Sequence, residues 1–99
     1  MPYRLSHLAE QDLEEVWSYV AEDSTPTTAD RLIDDIIRRF DLLAEQPGMG
    51  RARPELGPGV RSFAVENHVI YYRQEGEDVL IARILHGRRD QIAAWSESS

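Results

Sequence analysis

The sequence predicts a single two-layer α+β domain in which an antiparallel helical hairpin packs on a mainly antiparallel sheet. Two observations predict this class. Apolar residues recur at helical spacing over residues 9–44, and they then alternate as in strands over residues 60–86. Helices followed by a run of strands segregate to one face of an antiparallel sheet. The chain has 99 residues, enough for one domain and too few for two, so we expect residues 1–99 to fold as one unit.

The first elements are a short strand and a helix. Tyr3 to Leu5 is the strand candidate, and Ser6 is suited to cap the helix because its hydroxyl can accept from a first-turn amide. The apolar positions that follow at helical spacing are Ala9, Leu13, Val16, Trp17 and Val20. We interpret Trp17 as a packing residue and the helix carboxylates as a solvated surface.

A second helix begins at Thr25-Pro26, because Thr is a good cap and Pro fits the first helical position. Its apolar stripe is the clearest pattern in the chain: Ala29, Leu32, Ile33, Ile36, Ile37, Phe40, Leu43 and Ala44. The stripe ends before Pro47. Two helices joined by so short a turn must form an antiparallel hairpin.

The segment 47–59 contains three Pro and four Gly and predicts a long loop within the domain. Strands are then predicted over 60–66, 69–74 and 79–86, with a tight turn at Asn67-His68 between the first two. Asp90 is suited to cap a short final helix, Gln91 to Trp95. The predicted order is β-α-α-β-β-β followed by that short C-terminal helix.

Composition removes several classes of function. The chain has no Cys, which excludes disulfides and thiolate metal sites, and its three His residues are scattered. We therefore expect no metal and no cofactor. No apolar run reaches the roughly 18 residues of a membrane span, and no signal peptide is recognisable at the N-terminus. We expect a cytoplasmic protein with no membrane partner.

The charge is strongly asymmetric. The formal net charge is −7, and all 11 basic residues are Arg. Residues 1–46 contain four Arg against eleven acids, whereas residues 47–99 contain seven of each. Affinity for nucleic acid comes mainly from cationic side chains. We therefore expect no direct sequence-specific DNA binding by this chain, and any RNA contact would need the arginines of the second half.

Three strand arginines, Arg61, Arg73 and Arg83, each end an apolar row. Neighbouring strands could bring the three guanidinium groups together as a phosphate or carboxylate site. The alternative is that they extend from the core edge and pair with Glu55, Glu66 or the acidic helices. His86, at the end of the last strand, is either a general acid or base or a packing residue. His7 and His68 are expected to be exposed.

The chain as a whole resembles the RelE/ParE toxin superfamily. Tyr3-Arg-Leu-Ser6 resembles the family's first strand, and Arg53-Pro-Glu-Leu56 resembles its loop before the sheet. Gly59-Val-Arg-Ser-Phe63 and Val69-Ile-Tyr-Tyr-Arg73 resemble two of its strands. The most specific match is Ile84-Leu-His-Gly-Arg-Arg-Asp90, whose Leu-His-Gly-Arg-Arg form is typical of the ParE branch.

The resemblance implies a fold in which the first strand pairs with the last beneath the hairpin. It also implies the toxin of a type II toxin–antitoxin pair, a non-enzymatic inhibitor of DNA gyrase that a ParD-like antitoxin neutralises in a hetero-oligomer. The antitoxin's C-terminal segment is expected to wrap the toxin. Candidate partner contacts are Arg51, Arg53, Glu55, Leu56, Arg83, Arg88, Arg89 and Trp95.

Two alternatives remain open. The RelE branch cuts mRNA on the ribosome, and in this chain Arg61, Arg73 and His86 would be its catalytic residues. A non-toxic relative that only binds an antitoxin is the other. The absence of Lys and the net charge of −7 favour the gyrase-directed function over the ribonuclease.

Overall fold

The computed structural model of the chain describes residues 2–87. It contains β1 (Tyr3–Leu5), α1 (His7–Asp23), α2 (Pro26–Glu45), β2 (Arg51–Ala52), β3 (Arg61–Val65), β4 (His68–Glu75) and β5 (Asp78–His86). Single 3₁₀ turns occupy Pro47–Met49 and Pro54–Leu56. The predicted helix at 91–95 and the candidate contacts Arg88, Arg89 and Trp95 lie outside the described residues. Over residues 2–87, neither helix has the length and apolar character needed to cross a bilayer.

The five strands form one sheet in the order β1-β5-β4-β3-β2. β1 runs parallel to β5, with Tyr3 opposite Val79 and Leu5 opposite Ile81, and the other three pairings are antiparallel. This arrangement confirms the predicted α+β class and the pairing of the first strand with the last. The segment predicted as a plain loop supplies the short edge strand β2.

The predicted caps of α1 and α2 are confirmed, whereas Asp90 lies outside the described residues. The Ser6 hydroxyl accepts from the Ala9 amide at 3.0 Å and donates to the Ala82 carbonyl at 2.7 Å. The Thr25 hydroxyl accepts from the Thr28 amide at 3.0 Å, and Pro26 is the first residue of α2. Ser6 thus starts α1 and also attaches that start to β5, which sets where the hairpin lies on the sheet.

Side chains pack on both faces of the sheet. The main core lies under the hairpin and includes Ala9, Val16, Ile36, Phe40, Leu43, Ile70, Tyr72, Val79 and Ile81. A smaller cluster on the opposite face consists of Leu56, Val60, Tyr71 and Leu85, with Val69 against it. The segment after β2 therefore folds back over the sheet, and Leu56 and Val60 cover the face that the helices leave open.

A β-bulge divides β5 into two parts. Tyr72 lies opposite Ile81 and Tyr71 opposite Arg83, so Ala82 is the extra residue. Before the bulge, Val79 and Ile81 face the helices. After it the alternation shifts by one residue, so that Ile84 faces the helices and Leu85 faces the opposite cluster.

The turn between β3 and β4 lies one residue earlier than predicted. Glu66 and Asn67 form it, with Glu66 at the positive φ of 53°, and β4 starts at His68. The amide of Gly87 donates to the Asn67 carbonyl at 2.8 Å and closes this end of the sheet. The prediction that His68 is exposed is wrong: as a strand residue opposite Val65 and His86, its side chain is buried.

Candidate functional site

Asp12 and Arg83 form a buried ion pair between α1 and β5. The Arg83 Nε and Nη2 atoms donate to the two Asp12 carboxylate oxygens at 2.8 and 3.0 Å. Only 4% of Asp12 and 3% of Arg83 are exposed. The Ile84 amide donates to the same carboxylate at 3.0 Å. Because β1 ends opposite Ile81, Asp12 supplies the acceptor that a longer strand would have provided.

This pair corrects two predictions. Asp12 is not part of the solvated surface, and Arg83 is committed to Asp12 instead of being displayed to a partner. The spacing contained the signal: Asp12 lies three residues after Ala9 and four before Val16, on the apolar stripe of α1. An acid on a buried stripe requires a basic partner from another element.

Tyr72 and Arg61 hold the start of the loop against the sheet. The Tyr72 hydroxyl donates to the Pro47 carbonyl and accepts from the Gly50 amide, both at 2.8 Å. Arg61 Nη1 donates to the Gly50 carbonyl at 2.8 Å. Burial raises the pKa of Tyr72. Arg61, one of the arginines assigned to a phosphate site under the ribonuclease alternative, therefore already has structural partners.

We expect Gly50→Ala to lower the free energy of unfolding by about 1–3 kcal/mol. A Cβ at this position would clash with the Tyr72 hydroxyl and lie 2.8 Å from the Ser62 carbonyl. Urea unfolding followed by circular dichroism measures the loss. Gly48→Ala is the matched control, since a Cβ at Gly48 meets nothing within 4 Å. Equal stabilities of the two variants would mean that Gly50 is not packed tightly against Tyr72 and Ser62.

Arg53 joins the loop to the opposite face of the sheet. Its Nε donates to Glu55 at 2.9 Å, Nη1 lies 3.4 Å from the Ser62 hydroxyl, and the guanidinium carbon lies 5.8 Å from the Tyr71 ring centroid. The hydrogen bond from Arg53 lowers the pKa of Glu55 and the same bond raises that of Arg53. Burial raises the pKa of Tyr71. Of the candidate partner contacts, Arg51 and Glu55 are exposed, whereas Leu56 packs into the smaller cluster.

The structure does not bring the three strand arginines together. Arg61 follows the row of Phe63 and Val65 on the helix side of the sheet, whereas Arg73 follows the row of Val69 and Tyr71 on the other side. Arg83 points to α1. Arg61 and Arg73 share only the lining of a cleft of about 210 Å³ beside Pro47 and Gly59. Of the two interpretations of these arginines, the geometry favours pairing with acids, as Arg83 pairs with Asp12, over a shared anion site.

His86 lies at the far end of the sheet from both of the other residues assigned to the ribonuclease alternative. It is opposite His68, which is opposite Val65, and Arg61 is four residues further along β3. Four strand residues span about 13 Å. Arg73 is opposite Leu80, six residues before His86, or about 20 Å along β5. Within residues 2–87, no three His, Asp or Glu side chains are grouped as metal ligands.

His86 instead contacts His68. The two rings meet edge to face, with centroids 5.3 Å apart at 82°. Glu66, Asn67 and Val69 line a cleft of about 240 Å³ beside them. Burial lowers the pKa of His68, and the neighbouring His86 lowers it further. Burial and the neighbouring ring therefore both disfavour the protonated form of His68.

We expect the chain to lose stability as the pH falls through the range of an ordinary histidine, about 6.5 and below. Because the pKa of His68 is depressed in the folded state, the unfolded state binds the proton more readily and acid favours unfolding. The free energy of unfolding is therefore undiminished by this histidine only above that pH range. Urea unfolding at pH 7.5 and pH 5 measures the effect. His68→Phe should reduce the difference between the two pH values, and exposed His7→Gln should leave it unchanged. If His68→Phe lost as much stability between pH 7.5 and pH 5 as the wild-type chain, His68 would not be the cause of the pH dependence.

Comparison with known proteins identifies the family of this chain. The family model described as "ParE toxin of type II toxin-antitoxin system, parDE" matches residues 3–91. Toxin ParE1 of Caulobacter vibrioides is 36% identical over 85 residues, which cover 86% of this chain and 88% of the relative. The chain belongs to the ParE toxin family.

Other ParE relatives match over a similar extent. Toxin ParE3 of Caulobacter vibrioides is 39% identical over 82 residues, covering 83% of this chain and 82% of that protein. Toxin ParE1 of Mycobacterium tuberculosis is 33% identical over 89 residues, covering 89% and 91%. A solved structure titled "Chromosomal ParDE TA system from P. aeruginosa" superposes with a TM-score of 0.76 at 25% identity, covering 87% of this chain and 95% of that one. The family match spans every helix and strand described above.

Proposed function

We propose that this ParE-family chain poisons DNA gyrase by protein–protein binding, without catalysing a reaction, and that a cognate ParD-like antitoxin neutralises it. Membership of a toxin family supports the toxic role. The observation that carries the non-enzymatic mechanism is the separation of Arg61, Arg73 and His86. A ribonuclease needs its phosphate-stabilising cations and its proton-transfer groups around one scissile bond, and His86 lies at the opposite end of the sheet from Arg61 and Arg73.

The electrostatics support the same mechanism. Residues 7–45, which form the hairpin, contain eleven acids against three Arg. Such a surface repels phosphates, and the long-range field of the chain therefore opposes approach to RNA. A protein target reached through shape and local contacts is compatible with this charge.

The antitoxin pairing rests on the relatives. The superposed P. aeruginosa structure is titled as a ParDE toxin–antitoxin system, and the curated relatives are named as toxins. By analogy, the gene beside that of this chain encodes the antitoxin, and the two proteins act together in the cytoplasm.

Expression of the chain alone should stop growth and induce the DNA-damage response, and co-expression of the adjacent reading frame should restore growth. Purified chain should inhibit supercoiling by gyrase, while cellular mRNA stays intact. The double variant Arg73→Ala/His86→Ala should remain toxic within about twofold, since neither residue would touch a reacting phosphate. If cells that express the wild-type chain contained cleaved mRNA, and the folded double variant lost its toxicity, the protein would be a ribonuclease instead. Gyrase unaffected by the wild-type chain would exclude the proposed target.

A further inference from the structure

A pair of histidines closes the end of the sheet at which β3 turns into β4. His68 in β4 lies directly opposite His86 in β5, and the centroids of the two rings are 5.3 Å apart. Directly opposite residues on antiparallel strands have Cβ atoms about 5 Å apart. Two imidazoles on one tetrahedral Zn²⁺ ion, with Zn–N bonds of about 2.0–2.1 Å, also have ring centroids about 5 Å apart. The strand register therefore sets the two rings at the spacing of a two-histidine metal site.

His68 contains a buried polar atom without a hydrogen-bond partner. The side chain is 7% exposed, and among residues 2–87 no group hydrogen-bonds its Nδ1 atom. Buried polar atoms are nearly always hydrogen-bonded, and an exception indicates an ion or a water molecule. In the tautomer that carries its proton on Nε2, the Nδ1 lone pair is available to a cation. Burial and the neighbouring His86 lower the pKa of His68, which favours the neutral ring that ligates a metal.

The cleft beside the two rings gives an ion space and a route of entry. Its volume is about 240 Å³, and both histidines line it together with Glu66 and Asn67. Glu66 and Asn67 are exposed and His86 is half-buried, so the cleft opens to solvent. The Glu66 carboxylate is near enough to oppose the burial and the His86 ring that lower the pKa of His68. Its negative charge, in a chain of net charge −7, attracts a cation to the pair.

We propose that His68 and His86 bind one divalent transition-metal ion of the zinc class, through one ring nitrogen each. Imidazole suits zinc, nickel and copper, whereas Mg²⁺ and Ca²⁺ take oxygen ligands. Turning the half-buried His86 ring about its broad χ2 torsion aims a nitrogen at the ion. Within residues 2–87 no third His, Asp or Glu joins the pair as a ligand, so water completes the coordination. The bound ion joins the start of β4 to the end of β5 and stabilises the folded state.

The first test adds metal to the purified full chain, which carries no affinity tag and has been stripped with a chelator. Calorimetry at pH 7.5 should show one Zn²⁺ bound per chain. Zn²⁺ should also raise the thermal midpoint, in step with the logarithm of its concentration once that exceeds the dissociation constant. The same concentration of Mg²⁺ should leave the midpoint unchanged. An equal rise with Mg²⁺ would assign the effect to exposed carboxylates and overturn the proposal, and so would a wild-type chain that binds no Zn²⁺.

The second test removes the ligands one at a time. His86→Gln and His68→Gln should each weaken Zn²⁺ binding by at least about tenfold, the smallest loss usual when even an outer-shell partner of a metal is removed. His7→Gln removes an exposed histidine from the start of α1 and should leave binding unchanged. Urea unfolding without metal identifies the folded variants, and half-buried His86 keeps the test decisive if buried His68 tolerates no replacement. Zn²⁺ binding retained by folded His86→Gln, or lost in His7→Gln, would overturn the proposal.

Discussion

Replacing Asp12 with Asn should lower the free energy of unfolding by about 3–5 kcal/mol, a large share of the stability of a domain this small. The substitution preserves volume but leaves the Arg83 guanidinium, 3% exposed, without a counter-charge. It also replaces one of the two oxygens that accept from Arg83 and from the Ile84 amide. The loss should appear as a lower urea midpoint with an unchanged slope.

Two further variants make this prediction specific. Glu15→Gln removes a carboxylate from the same helix at an exposed position and should change stability by less than about 0.5 kcal/mol. Asp12→Asn/Arg83→Met removes both charges, while the Asn side-chain oxygen can still accept from the Ile84 amide, and it should recover part of the loss because no unpaired ion remains buried. If the double variant were less stable than Asp12→Asn, the uncompensated charge would not be the cause.

The elements that the sequence predicts well are those with strong local patterns. The stripe from Ala29 to Ala44 and the caps at Ser6 and Thr25 are encoded within a few residues of where they act, and the structure confirms them. The turn at Glu66-Asn67 was misplaced by one residue because its signal is weak: it depends on Glu66 adopting a positive φ that Asn or Gly adopts more readily.

The features that the sequence did not predict arise from long-range contacts. The bulge at Ala82 has no local signature, and it places Ile84 and Leu85 on the faces opposite to those that simple alternation predicts. The hydrogen bonds of Tyr72 join residues 22 and 25 positions apart. Arg61, Arg73 and His86 have the side chains that a ribonuclease would use, but only the strand register shows how far apart they are.

Phe40→Ala should also lower the free energy of unfolding by about 3–5 kcal/mol. Phe40 is 1% exposed, and its ring packs against that of Tyr3, with centroids 5.4 Å apart at 55°. β1 has only three residues, so this contact holds both α2 and the strand that completes the sheet. Ile37→Ala, three residues away and 37% exposed, should cost only about 1 kcal/mol. Thermal unfolding measures the stability lost in each variant. Similar losses in Phe40→Ala and Ile37→Ala would mean that Phe40 is not a more important core residue than Ile37.

The same variant tests whether a partner stabilises the fold. A protein that binds only the folded state adds about 4 kcal/mol when present at a thousand times its dissociation constant. Phe40→Ala should therefore be degraded when expressed alone but should accumulate to nearly the wild-type level with the adjacent reading frame. A Phe40→Ala chain that stays scarce beside the product of the adjacent reading frame would mean that this partner does not stabilise the folded state.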